Sequence, residues 1–361
     1  MAYYHTKYGY RNKKKRSRAS KIIYTVLLIG IVAAITTGYL LYRAILKPNT
    51  WVKDEGTIHI HIPTGADYND LKTILFENGI VINRRSFHWL AERKNLPAHV
   101  YPGRYLIRHG MSNDDLINLL RSGEQTPVNV IFNNIRTPEE FAQTISRQIE
   151  ADSASIISLM KDSAFTSELG FDPSTITAML IPNTYEVYWN VSADNFIKRM
   201  AAEHKRFWNG ERKRKAEELG LIPLEVTILA SIVEKETIKE DEKTAISGVY
   251  LNRLKHNWRL QADPTLVYAW GDFGMKRVLN IHKKIDSPYN TYKYAGLPPG
   301  PICVPSISSL EAVLNAEDHD YFFFCAKDDF SGYHEFAKTQ AQHTINANRY
   351  RRALDERNIR N

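Results

Sequence analysis

Residues 225–237 read EVTILASIVEKET, and the rest of the chain is best understood outward from them. Apolar residues recur at helical spacing, so the stretch predicts a helix with two glutamates near its end, Glu234 and Glu236. A separation of two residues turns them about 200° apart, so they cannot serve one site together. Three, four, seven and eight residues before Glu236 stand Val233, Ile232, Leu229 and Ile228, all apolar. The corresponding stripe behind Glu234 is mixed: Ser231, Ala230, Thr227 and Val226. A carboxyl on an apolar face loses solvation of its charged form, and its pKa rises. A general acid working near neutral pH needs that shift. Glu236 is therefore the candidate catalytic carboxyl, with Glu234 in a supporting role. A plainer reading, in which Lys235 and Arg253 simply pair these acids, stays open on the residues alone.

Downstream the texture changes to amides, tyrosines and rigid turns. Asn252-Arg253-Leu254 is followed by Leu260-Gln261-Ala262-Asp263-Pro264-Thr265, then by Tyr289-Asn290-Thr291-Tyr292 and Gly296-Leu297-Pro298-Pro299-Gly300-Pro301-Ile302. Amides bond hydroxyls and N-acetyl groups, and tyrosines cover ring faces, so these loops suit a sugar. Gln261, Asp263, Tyr289, Asn290 and Tyr292 are the candidate substrate-binding residues. Residues 321–326 (YFFFCA) read as a buried strand, and a turn at 328–332 leads to a partner at 333–337. His334 on that partner is a further binding candidate; a structural histidine fits its position equally well. Residues 340–357 close the chain as a helix. Cys303 and Cys325 lie in no metal or redox motif, and two buried thiols suit them as well as a disulfide.

Upstream, residues 57–63 (TIHIHIP) alternate as a half-buried strand with Ile58, Ile60 and Ile62 on one face. Helices are expected over 67–78, 85–94 and 111–122, with Ser112 as an N-cap and Gly123 beyond the last one, and a strand near 103–108. The pattern restarts near Val128: a strand, then a helix opened by Thr137 with Phe141 and Ile145 inward. An offset of about 70 residues sets Asp70-Leu71 over Glu140-Phe141, a weak internal repeat. His59 and His61 share a strand face but lack a third ligand, so no metal is expected. Residues 152–170 read as a polar helical connector, and the basic run 205–215 as a solvated helix face.

The formal charge of +8 comes from one end. Eight Lys or Arg and no acid fall within residues 1–21, and the remainder carries 40 of each sign. A basic nucleic-acid-binding domain is therefore excluded. Residues 22–42 (IIYTVLLIGIVAAITTGYLLY) are uncharged, mainly apolar and long enough to span a bilayer. The run exceeds a usual signal-peptide core, and no small-x-small cleavage site follows it. It reads as an uncleaved single-pass anchor in the cytoplasmic membrane, its basic flank cytoplasmic and the rest of the chain outside.

The ordered set A-S-I-V-E-K-E-T, N-R-L, L-Q-x-D-P-T, Y-N-T-Y, G-L-P-P-G-P-I and G-x-H-x-F closely resembles the endolytic murein transglycosylase family. The likeness covers residues 178–345 strongly and 57–125 more loosely, where it implies a LysM-like domain. Two motifs depart from the family pattern: Pro182-Asn183-Thr184-Tyr185 where Pro-Asp-Thr-Tyr is usual, and Val304-Pro305-Ser306 where Asn-Pro-Gly is usual. The expected fold is α+β throughout. Its parts are a cytoplasmic tail (1–21), a transmembrane helix (22–42), a linker (43–56), a small LysM-like α+β domain (57–126), a strand–helix connection (127–177) and a larger α+β catalytic domain (178–361). The resemblance implies cleavage of the β-1,4 bond between N-acetylmuramic acid and N-acetylglucosamine within strands, leaving 1,6-anhydromuramyl ends. It also points to Glu236 as the catalytic residue. Peptidoglycan strands are the implied partner, with peptidoglycan synthases as further candidates and no cofactor. Two other readings compete. One is a catalytically silent wall-binding scaffold. The other is a penicillin-binding type of serine enzyme, for which Ser158-Leu159-Met160-Lys161 supplies S-x-x-K without the S-x-N and K-T-G that should accompany it.

Overall fold

The computed structural model describes residues 18–275 and 277–357. The chain divides into two compact units, residues 1–126 and 127–361. Both mix helices with two-stranded antiparallel sheets.

The first unit opens with α1 (Arg18–Ile45), which is long and apolar enough to cross a membrane and buries none of its residues. At 1.5 Å per residue its 28 residues extend about 42 Å. Of the basic tail expected at 1–21, residues 1–17 lie outside the described residues. Then come β1 (Thr57–Ile62), α2 (Tyr68–Glu77), α3 (Arg84–Arg93), β2 (Gly103–Arg108) and α4 (Asn113–Ser122). β1 and β2 pair from Thr57↔Arg108 to Ile62↔Gly103. Ile60 and Ile62 are buried with Leu71, Leu75, Phe87, Tyr105, Ile107 and Leu116, while His59 and His61 face outward. The helix ends follow local chemistry. Asp67 and Ser112 each form a capping box, with Asp70 and Asp115.

Residues 43–56 do not behave as a linker. Asn49 and Thr50 are buried, and bridges Pro48↔Ser112 and Thr50↔Val81 stitch the segment into the unit. The Asn49 amide donates to Asn113 Oδ1 at 2.6 Å, and Asn113 donates in turn to the Ala44 carbonyl at 2.8 Å. Apolar periodicity cannot find such a segment, because its order comes from buried amide pairs.

The second unit contains β3 (Val128–Ile131), α5 (Pro138–Ser146), α6 (Ser153–Lys161), α7 (Ser163–Glu168), β4 (Thr184–Val187), α8 (Ala193–Phe207) and α9 (Gly210–Glu218). It continues through α10 (Pro223–Glu236), α11 (Lys243–Lys255), α12 (Asp263–Trp270), α13 (Ile307–Leu314), β5 (Phe323–Ala326), β6 (His334–Ala337) and α14 (Gln340–Glu356). β3 pairs with β4 across the expected 177/178 division, Val130 opposite Tyr185, and residues on both sides of it share one core. The connector at 152–170 is two helices, broken where Asp162 ends α6 and caps α7 through the Ala164 and Phe165 amides. It is less polar in place than in sequence, for Ile156 and Met160 are buried. The basic run at 205–215 is also broken: Trp208 turns into the core and Asn209 caps α9. A second core gathers α10, α11 and α13 around Leu229, Ile232, Ile246, Tyr250 and Val313. Cys303 and Cys325 are free thiols.

Candidate active site

Helix α10 is the axle of that second core. Pro223 sits in its first turn, where a missing N–H does no harm, and the Glu225 carboxylate accepts the Ile222 amide at 2.9 Å. Residues 226–233 are all buried. Its middle is thus buried all round, and the two glutamates at its end differ by what surrounds them.

Glu234 turns toward the start of α13. Its Oε2 accepts from the Ser306 and Ser309 hydroxyls, each at 2.5 Å, and lies 3.5 Å from Lys243 Nζ. Burial raises its pKa, but these donors and the Lys243 charge outweigh burial and hold it below the ordinary glutamate value. Glu234 is a fixed anion.

Glu236 lies on the floor of a cleft of about 650 Å³, whose walls include Arg136, Lys235, Asp263, Tyr268, Phe273 and Ile302. Burial drives its pKa up and the Asp263 charge adds to that. The Tyr250 hydrogen bond and the Arg253 charge pull the other way, and the net value is about 7. Its Oε1 accepts from the Tyr250 hydroxyl at 2.5 Å. No hydrogen bond reaches Oε2 among the described residues, and the side chain keeps an open side on the cleft. The simple ion-pair reading is excluded. Arg253 spends its guanidinium on the carbonyls of Phe322 at 2.8 Å and Leu260 at 2.5 Å, and Lys235 reaches the Asn134 amide oxygen.

The two sugar-type motifs are wired to each other. Gln261 is in the left-handed region, φ 51°, and its N–H donates to the Thr291 carbonyl at 3.1 Å. The Thr291 hydroxyl takes the Ala262 amide at 3.0 Å and meets the Thr265 hydroxyl at 2.9 Å. Tyr292 donates to Asp263 Oδ1 at 2.5 Å, which fixes that carboxylate at the start of α12 on the cleft wall. Asn290 is fully buried, and its amide is consumed inside the loop. It donates to Lys283 and Ile285 carbonyls and accepts from the Tyr292 and Lys293 amides. Asn290 therefore shapes the site from behind and is not placed to touch a ligand. Tyr289 packs on the cleft residue Tyr268, ring centres 4.7 Å apart. The side chain of Gln261 is exposed and outside the residues lining the cleft. His334 is held elsewhere, its Nδ1 2.8 Å from Glu242 and its ring edge-on to Phe324. Of the sequence candidates, Glu236 and Asp263 line the cleft, with Tyr289 and Tyr292 directly behind its wall.

Sequence reading missed Tyr250, Lys243, Tyr268 and the serines that fix Glu234. A signal for Tyr250 existed. It stands between Val249 and Leu251, three residues before Arg253, and a buried tyrosine hydroxyl needs a partner.

Fold and site together define a class: a two-unit α+β protein whose second unit holds one proton-carrying carboxyl at the floor of a cleft. The chain belongs to the YceG-like family, whose sequence profile matches residues 60–349. It is 28% identical over 339 residues to a Bacillus subtilis (strain 168) protein named endolytic murein transglycosylase, covering 89% of this chain and 92% of that one. A Streptococcus pneumoniae (strain R6) protein of the same name is 28% identical over 80% of this chain, which spans 57% of that longer relative. The crystal structure of a YceG-like protein from Listeria monocytogenes superposes with a TM-score of 0.53 at 27% identity, covering 81% of this chain and 99% of the other.

Proposed function

We propose that this chain is an endolytic lytic transglycosylase of peptidoglycan, with Glu236 as its single acid–base residue. One observation carries the reading: a carboxyl with a pKa of about 7 lies open to a cleft while a buried tyrosine hydroxyl holds its other oxygen. In that state Glu236 can protonate the glycosidic oxygen as the bond from muramic C1 breaks. The resulting carboxylate then takes the proton of the same sugar's C6 hydroxyl, whose oxygen bonds to C1 and closes the 1,6-anhydro ring. No water is consumed, so no second carboxylate is needed to activate one. Asp263, fixed by Tyr292, supplies negative charge near the cationic sugar ring that develops between those events.

A hydrolytic reading has one observation in its favour, namely that Asp263 shares the cleft with Glu236 and would serve as the second carboxylate. The products separate the two. Purified sacculi are incubated with the full-length chain in detergent, and the released fragments are weighed. Anhydromuramyl ends support the transglycosylase, and reducing ends heavier by one water overturn it in favour of the hydrolase. No release at all leaves a wall-binding scaffold.

In this reading α1 is a single-pass anchor in the cytoplasmic membrane and the units lie on its outer side. The first unit, a strand–helix–helix–strand fold with an antiparallel pair, takes the LysM-like role of holding glycan. Such a position also brings peptidoglycan synthases within reach as partners.

A further inference from the structure

The cleft continues beyond Glu236. Arg277 and Tyr350 on its wall also line a second hollow of about 430 Å³ between β5 and α14, so the two form one groove. The character of the walls changes along it. Near Glu236, the bases Arg136 and Lys235 are accompanied by the carboxylate of Asp263. In the second hollow, Arg277 and Arg351 stand with His343, Cys325 and Tyr350, and no carboxylate lines it among the described residues. Two acids near this corner, Asp328 and Glu335, are engaged by Arg349 at 3.2 and 3.6 Å. Arg351 hydrogen-bonds the neutral side chain of Asn348 at 2.7 Å. His343 is stacked on Phe323, ring centres 5.3 Å apart, and its Nδ1 is buried without a hydrogen-bond partner among the described residues.

Such a wall suits an anion, because guanidinium groups match carboxylate geometry and carry charge that a neutral sugar cannot use. N-acetylated sugar rings are neutral. In peptidoglycan, the carboxylates belong to the peptide stem attached to muramic acid. Resting on the reading of the cleft as a peptidoglycan site, we propose that the arm between β5 and α14 binds the carboxylates of the peptide stem and makes the enzyme prefer stem-bearing strands to bare glycan. Glu236 and this arm are parts of one groove, so a strand lying across the carboxyl places the substituents of a nearby muramic residue beside Arg277 and Arg351.

The test compares two substrates on the full-length chain in detergent: glycan strands with intact stems, and the same strands after amidase has removed them. Removal leaves only the lactyl carboxylate beside the ring, so a preference for stems reports the carboxylates farther along the peptide. The expected result is a kcat/KM ratio favouring stems by about tenfold, the scale of two partly exposed charge pairs. It should shrink as salt is raised, because exposed charges are screened. In R277Q/R351Q the ratio should fall toward one, chiefly through KM on stem-bearing strands. Arg351→Glu, on an exposed helix face, should push the ratio the same way and serves if the double variant is unstable. Equal rates on both substrates by the wild type, or a ratio untouched in both variants, overturns the assignment while leaving the reaction class intact. Failure to cleave either substrate would instead remove the reading of the cleft itself.

Discussion

Glu236 keeps its proton to about pH 7, whereas an unfolded glutamate loses it near 4.5. Between those values the folded chain binds more protons than the unfolded one, so stability falls as pH rises across the window. Above it, the ionised carboxyl costs about 3 kcal/mol. Glu236→Gln should therefore melt higher than wild type at pH 8 and level with it at pH 4. Release of anhydromuramyl ends should drop about a hundredfold or more, the scale of lost acid–base catalysis. Melting curves at both pH values alongside the sacculus assay check this, and a gain of equal size at pH 4 would show that burial of charge is not its source. Glu234 has the opposite sign. Its pKa is lowered in the fold, so its stabilisation is present above the ordinary carboxyl value and is lost as pH falls below it. Glu234→Gln should lower the melting temperature at pH 7 and reduce turnover less than Glu236→Gln. Tyr250 supplies the proof of wiring. Its hydroxyl favours the ionised form of Glu236, so Tyr250→Phe should move the alkaline limb of the rate profile up by about one pH unit while lowering kcat. An unmoved limb would reduce Tyr250 to packing.

At the scale of elements, legibility followed the range of the interaction. Caps at Ser112 and Thr137 could be read from sequence because each acts within three residues. The apolar face of β1 was legible through alternation, and the pair β5 and β6 through a continuous apolar run followed by a turn. The stitched segment at 43–56 was not, because its partners are Asn83, Asn113 and Met111, far along the chain. The same limit hid the brace by which Thr291 and Tyr292 fix the loop carrying Asp263: each motif was visible, and their contact was not. The stripe behind Glu236 was a sound guide to a raised pKa. The stripe behind Glu234 described a helix edge, while the serines that settle its charge lie some seventy residues on. The proline-rich loop shows how a motif residue acts through space. A Cβ at Gly300 would come within 2.8 Å of the Ser174 carbonyl and 2.9 Å of the Tyr289 hydroxyl. Gly300→Ala should thus push the loop outward and destabilise the second unit by about 1–3 kcal/mol, the usual range for overpacking. Denaturant melts should register the loss, and an unchanged midpoint would mean that the loop yields freely.

At the scale of the whole molecule, charge and hydrophobicity are partitioned along the chain. The surplus of eight bases lies within residues 1–21, the apolar span follows, and the remaining residues balance forty acids with forty bases. Helix α1 carries Arg18 and Lys21 near one end and Arg43 near the other, with an uncharged stretch between them that can occupy a bilayer. In the proposed orientation the more basic flank stays in the cytoplasm, and one crossing sends both folded units outward. Only on that side does an enzyme for wall glycan meet its substrate. Beyond α1 the chain enters the first unit directly, because Ala44 accepts from Asn113 and Asn49 is buried against it. In the proposed role as anchor, α1 should therefore hold that unit close to the membrane surface, without a free tether. Alkaline phosphatase fused after Asn361 should be active in intact cells, since it folds with its disulfides only outside the cytoplasm. The mature fusion should keep its first 42 residues. Replacing the eight bases with glutamine should weaken the orientation signal and lower phosphatase activity per fusion protein. An inactive parent fusion would reverse the assigned orientation, and an active one lacking residues 1–42 would turn α1 from an anchor into a cleaved leader.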